Sequence, residues 1–228
     1  MQAQYVIRAD DLEVTFDRPQ GGTATLALGT LRLGAGERAC VVGGSGSGKT
    51  TLLHVIAGIV SPTRGTVRHG EVDLFALKEA ARDRFRARKI GYVFQTAQLL
   101  QGLNALENVA LAASLGGLKG SEARERAAQL LKRVELGHRL EARPATLSVG
   151  EQQRVGIARA LVTSPPVVLA DEPTASLDER RSNEVLDLLD EVVTEAKATL
   201  LLVTHERQVQ DRFELVLSLD EGPLEARP

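Results

Sequence analysis

Eight residues, Gly43-Gly44-Ser45-Gly46-Ser47-Gly48-Lys49-Thr50, carry the spacing G-x-x-x-x-G-K-[ST] directly after the apolar run Ala39-Cys40-Val41-Val42. Glycines in such a loop let successive backbone N–H groups turn inward with no Cβ in the way, which makes a concave nest for an anion. Lys49 adds a point charge for terminal phosphates, and the Thr50 hydroxyl can ligate Mg2+. The helix expected to follow, with Leu52, Leu53 and Ile56 on one face as far as Gly58, directs its positive end to the same place. The chemistry is nucleoside triphosphate binding. A Gly/Ser linker shares the composition but lacks the strand before and the helix after.

Two further positions supply reactive groups. Val167-Val168-Leu169-Ala170 is a continuously apolar run ending in Asp171-Glu172, the pattern of a strand buried on both faces of a parallel sheet. Ligands bind at the carboxyl edge of such sheets, so Asp171 is placed to hold Mg2+ and Glu172 to polarise an attacking water. Leu200-Leu201-Leu202-Val203-Thr204 repeats the pattern and ends at His205, whose imidazole can donate to a γ-phosphate. His54, His69 and His138 fall in a helix, a short strand and a polar connection, where packing or exposure is the default.

The rest of the chain must position these groups. Short β-type runs at Tyr5–Ile7, Leu12–Phe16, Thr23–Leu28 and Leu31–Leu33, broken by Pro19, Gly21-Gly22, Gly34 and Gly36, predict an antiparallel meander. Phe16 is the aromatic available to stack on a base. Ile90–Phe94 reads as a strand ending at Gln95, and from Leu99 to Leu161 the period becomes helical, with a fresh helix opening at Leu147-Ser148-Val149-Gly150-Glu151. The basic run Arg82–Lys89 reads as a solvated helix face.

Composition excludes several classes. Over 228 residues the net charge is −2, which argues against a broad nucleic-acid footprint or a polybasic membrane anchor. The single cysteine, Cys40, permits neither an internal disulfide nor a cysteine-based metal cluster. No charged-then-apolar leader precedes Asp10 and no apolar run is long enough to span a bilayer. The expectation is a cytoplasmic protein, peripheral to the membrane through a partner.

In chain order these motifs resemble the nucleotide-binding subunits of ABC transporters, and the resemblance covers essentially the whole chain. Phe16 matches the adenine-stacking aromatic, Gly43–Thr50 the Walker A loop, Gln95 the Q-loop, Leu147–Glu151 the signature, Val167–Glu172 the Walker B strand, Ala175-Ser176-Leu177-Asp178 the D-loop and His205 the switch histidine. The fold so implied is α/β: a P-loop ABC ATPase with a mixed sheet core, an antiparallel β subdomain and an inserted helical lobe. Residues 1–95 and 160–228 would form the ATP-binding core and 96–159 the lobe. The implied activity is ATP hydrolysis, with Glu172, His205, Lys49 and Gln95 catalytic. ATP would be held by Phe16, Gly43, Ser45, Gly46, Ser47, Gly48, Lys49, Thr50 and Thr51, and by Ser148, Gly150, Glu151 and Asp178. Thr50, Gln95 and Asp171 would surround Mg2+.

The implied partners are a second copy of the chain, closing head to tail on ATP, and an integral membrane permease on the inner face of the membrane. The segment Gly91–Gln95, with Leu99-Leu100 and Asn104–Val109, is most similar to the branch of macrolide exporters, lipoprotein-release systems and the cell-division ATPase, whose permeases carry extracytoplasmic domains. Repair and translation members of the family usually carry insertions or a second cassette that this chain lacks, and a small-molecule kinase would need an acceptor site and lid. One departure stands out: Val149 occupies the first glycine of the usual Leu-Ser-Gly-Gly signature. A β-branched residue there is expected to resist positive φ or close approach to phosphate, and so to slow closure or hydrolysis.

Overall fold

Residues 5–17 and 22–225 are described by a computed structural model, and the chain gathers into two units, one within 1–82 and 199–228, the other within 83–198. In the first, the four short β runs become two long strands, β1 (Tyr5–Asp17) and β2 (Thr23–Gly34), paired antiparallel. Register shifts near Ala9, Leu12 and Glu13 absorb the interruption, with Asp11 at φ 49° and Gly29 at φ 78°. The breaks expected at Pro19 and Gly21 lie outside the described residues.

β4 (Arg64–His69) pairs with the other edge of β1, and β5 (Val72–Asp73) pairs with β4, giving the order β2-β1-β4-β5. The sheet is therefore not the simple meander expected. Between β2 and β4 the chain leaves to build β3 (Arg38–Val42) and α1 (Lys49–Ile56).

β3 lies in a second, parallel sheet, between β8 (Thr199–Thr204) and β9 (Leu215–Ser218). Every residue of β8 is buried, as are Ala39, Cys40 and Val41; burial pushes the Cys40 thiol up to about 12. α1 buries Leu52, Leu53, Val55 and Ile56, side chains that each contribute about 1.5–3 kcal/mol when removed from water.

The second unit is built on β6 (Ile90–Val93) and the wholly buried β7 (Val167–Asp171), which pair in parallel. Around them stand α3 (Ala105–Leu115), α4 (Gly120–Arg133), α5 (Val149–Leu161) and α6 (Glu179–Glu195). Gly91 is required by packing: a Cβ there would overlap the Ala160 carbonyl oxygen of α5. The unit boundary falls inside α2 (Glu79–Lys89), which buries no side chain, as the basic run predicted. Among the described residues no helix is long and apolar enough to cross a membrane.

Candidate nucleotide-binding and catalytic site

Strand register decides what meets at the edge of the first unit. Val42 stands opposite Thr204 on β8 and Ser218 on β9, so the Gly43–Gly48 loop, His205 and the turn after β9 all leave the same carboxyl edge. His205 is exposed there. Gly48 caps α1 in a left-handed conformation (φ 101°) without a side-chain cap, and the amino end of a helix is where backbone N–H groups and the helix dipole favour an anion. The Leu26 and Leu28 side chains occupy the space a Cβ would need at Gly48, and Ser47 Oγ does the same at Gly43. A side chain at Gly43 would therefore have to displace Ser47, and one at Gly48 would meet β2 as well as the strain of its positive φ. Lys49, only 6% exposed, donates from Nζ to the carbonyls of Gly43 (2.6 Å) and Gly44 (3.0 Å).

Phe16 is 42% exposed on β1. Its ring is therefore not spent on the core, the default for a lone aromatic in a strand, and remains available to a base.

In the second unit β6 and β7 run in parallel with Val93 opposite Ala170, so Gln95 and the Asp171-Glu172 pair leave a common edge. Asp171 is 7% exposed. Burial first, and the Asp171 charge second, push the Tyr92 phenol far above its usual range. Glu172 takes φ 41°, a left-handed conformation that costs a non-glycine residue about 1 kcal/mol or more and concentrates at functional sites. The next turns close through Ala175 N–H to the Glu172 carbonyl (3.2 Å) and Leu177 N–H to the Thr174 carbonyl (2.9 Å). Asp178 then caps α6, accepting the Arg181 N–H at 3.0 Å.

Ser148 caps α5 through a reciprocal box: Ser148 Oγ accepts the Glu151 N–H (3.3 Å), and Glu151 Oε2 accepts the Ser148 N–H (2.8 Å). The serine proton is left to donate outward. Arg139 Nε donates to Glu151 Oε1 at 3.0 Å. The Arg139 guanidinium and then the Ser148 N–H hold the Glu151 carboxyl down to about 2.

Because Glu151 is depressed on folding, its contribution is complete above about pH 4.5 and fades as pH falls toward 2. The stability gap between wild type and Glu151→Gln is expected to be full at neutral pH and to shrink below pH 4.5, which thermal melts across a pH series would read. A gap unchanged down to pH 2.5 would show that Glu151 is not so held.

Val149 is the first residue of α5, has no positive φ and is 51% exposed. The strain anticipated for a β-branched residue there is absent; the side chain instead projects apolar surface beside Ser148. Gly150 follows, and a Cβ on it would meet only Arg181 Cδ, at 3.9 Å. Internal packing does not demand that glycine.

Sequence reasoning passed over two residues that tie α5 to the Gln95 segment. Buried Gln153 donates from Nε2 to the Phe94 carbonyl (2.9 Å). Arg159 donates to the carbonyls of Ala97 (2.7 Å) and Gln98 (2.9 Å) and lies over the Phe94 ring. Gln153 was legible as a polar residue on a buried face shared with Ile157 and Ala160; Arg159 gave no such sign. The helix that opens with Ser148 and the segment around Gln95 are therefore joined by side-chain hydrogen bonds.

A phosphate loop with a histidine at the same strand edge, and an acidic pair, a glutamine and a serine-capped helix in the second unit, define a nucleotide-binding cassette. The family model described as ABC transporter matches residues 29–175, and the chain belongs to that family. It is 42% identical over 226 residues to the lipoprotein-releasing system ATP-binding protein LolD of Pseudomonas fluorescens, covering 99% of this chain and 100% of that one. To LolD of Legionella pneumophila it is 44% identical over 197 residues, covering 86% and 87%. The dimeric post-hydrolysis structure of the ATP-binding cassette MJ0796 with ADP and Pi superposes with TM-score 0.84 at 34% identity, covering 96% of this chain and 97% of that one.

Proposed function

We propose that this chain is the ATP-hydrolysing subunit of an ABC complex of the lipoprotein-releasing kind, working as two copies beneath a membrane permease with an extracytoplasmic domain. The observation that carries this reading is the near-full-length likeness to lipoprotein-releasing ATP-binding proteins, joined to a loop, histidine and acidic pair suited to hydrolysis. The loop amides, Lys49 and Thr50 bind the triphosphate, and Phe16 stacks on the base. Glu172 takes the proton of the attacking water, and His205 donates to the γ-phosphate. The Thr50 hydroxyl, the Gln95 carboxamide oxygen and the buried Asp171 carboxylate are each ligands suited to a hard cation, and Mg2+ when bound would neutralise charge on the phosphate oxygens. The Ser148 hydroxyl and the α5 amides of one copy complete the γ-phosphate site of the other. Triphosphate then adds contacts that exist only when the copies close, and that difference in affinity drives closure. The chain itself resides in the cytoplasm, and residues 96–159 act as the lobe that carries the opening turns of α5.

The permease is proposed to seat on a groove of about 520 Å³ in the second unit, whose lining includes Arg84, Tyr92, Phe94, Ala112, Leu115 and Arg159. Leu115 is 65% exposed in its wall, and Phe94 and Arg159 take part in the hydrogen bonds joining α5 to the Gln95 segment. Tagged chain extracted from membranes is expected to bring down its multi-span permease, and Leu115→Asp to cut recovery at least about fivefold, since a buried Leu contact is worth 1.5–3 kcal/mol. Nucleic acid or ribosomes in place of a membrane protein would overturn the reading.

A further inference from the structure

The turn after β9 holds an acid that none of the motifs accounts for. Leu219 N–H donates to the Val42 carbonyl at 2.9 Å, which seats this turn on the strand that launches the phosphate loop. Asp220 follows; its N–H donates to Ser218 Oγ (3.3 Å), and both its carboxylate oxygens accept the Gly44 N–H, at 2.8 and 3.0 Å. The other end of the same glycine is equally engaged. The Gly44 carbonyl accepts the Ser47 N–H (3.3 Å) and Lys49 Nζ (3.0 Å). Gly44 is therefore the hub of the loop: a carboxylate holds its amide, and an ammonium holds its carbonyl.

Without that carboxylate only the Gly44 carbonyl would be held, by Lys49 and Ser47, and its amide end would be left to glycine-rich backbone, which has more conformational freedom to lose than any other when it cups an anion. A hydrogen bond to an ionised acceptor is roughly twice as strong as a neutral one. The Gly44 amide that Asp220 occupies is withheld from the phosphates. What the carboxylate supplies is the loop's curvature, set before nucleotide arrives.

We infer that Asp220 is a positioning residue for the triphosphate, anchoring Gly44 to the strand edge so that the loop is shaped in advance for phosphate. It touches neither the nucleotide nor the attacking water. Its loss should appear as weaker nucleotide binding and a higher KM for ATP, with kcat at saturation preserved.

The test uses the full chain. Calorimetric titration with ADP, and with ATP in a Glu172→Gln background, is expected to give about fivefold weaker binding for Asp220→Ala, the scale of one hydrogen bond whose charge is screened at an exposed site. Turnover with the permease should show KM raised by a similar factor and kcat within about twofold. Asp220→Asn retains a neutral acceptor oxygen and is expected to recover about half of the loss on a logarithmic scale, leaving binding about twofold weaker than wild type, which a merely structural role would not require. Affinity unchanged or tightened in the alanine chain, or an asparagine chain as weak as the alanine one, would overturn the inference. Thermal melts of both variants verify folding, and because nucleotide binding needs no permease, the outcome is separate from that of the lipoprotein-release reading.

Discussion

A Glu172→Gln chain is expected to bind ATP as tightly as wild type and to hydrolyse it about 10²–10⁴-fold more slowly, the span that one general base contributes. The substitution is nearly isosteric, so the half-buried side chain at φ 41° keeps its backbone and its place at the end of β7. What changes is the capacity to take a proton: an amide oxygen can orient water but cannot accept its proton. If hydrolysis is what reopens the closed pair, the variant should also accumulate as a dimer in ATP. Size-exclusion chromatography would show that state, and phosphate release by the complex with its permease would show the rate. A variant that turned over ATP as fast as wild type would remove Glu172 from the mechanism.

The second large effect is expected at Gly150, where function should be lost with the fold intact. A Cβ there has room, with Arg181 Cδ at 3.9 Å its nearest neighbour. Aspartate forms helix only slightly better than glycine, but an acid in the first turn of α5 adds about 0.3–1 kcal/mol through the helix dipole. Gly150→Asp should therefore melt no lower than wild type. Yet its carboxylate would stand where Ser148 and the α5 amides are proposed to receive a γ-phosphate. Two like charges about 4 Å apart at an effective dielectric near 20 repel by about 4 kcal/mol. Arg181 nearby would offset part of this, so a loss of turnover of about 10²-fold is the expected outcome. Gly150→Ala separates close approach from charge: it should retain most activity if charge is the cause. Full activity in the aspartate chain would place α5 outside the composite site.

How much of this was legible depended on the range of the forces involved. The phosphate loop, the acidic pair, His205 and Gln95 were readable because each is a local pattern: small residues where backbone must approach an anion, or a polar residue ending an apolar strand. The parallel strands were readable for the same reason, since burial on both faces demands an unbroken apolar run such as Val167–Ala170. The antiparallel sheet was only half legible. Its register shifts let β1 and β2 continue through residues that read as breaks, and its order depends on where the chain returns after α1.

Val149 shows the limit most clearly. Its residue type suggested strain, but strain depends on φ, and the start of α5 gives it a helical φ; what remains is exposed apolar surface. Glu151 likewise read as a ligand of nucleotide, while the fold commits its carboxylate to Ser148 and Arg139. Asp220 was out of reach, because its partner lies 176 residues away along the chain; Gln153 was legible as a polar residue on a buried face, but its partner, 59 residues away, was not. The sequence by itself determined which groups can bind and cleave a triphosphate, through chemistry that neighbouring residues share. Only the tertiary structure decided which groups hold those residues in shape, because hydrogen-bond partners are chosen by proximity in space.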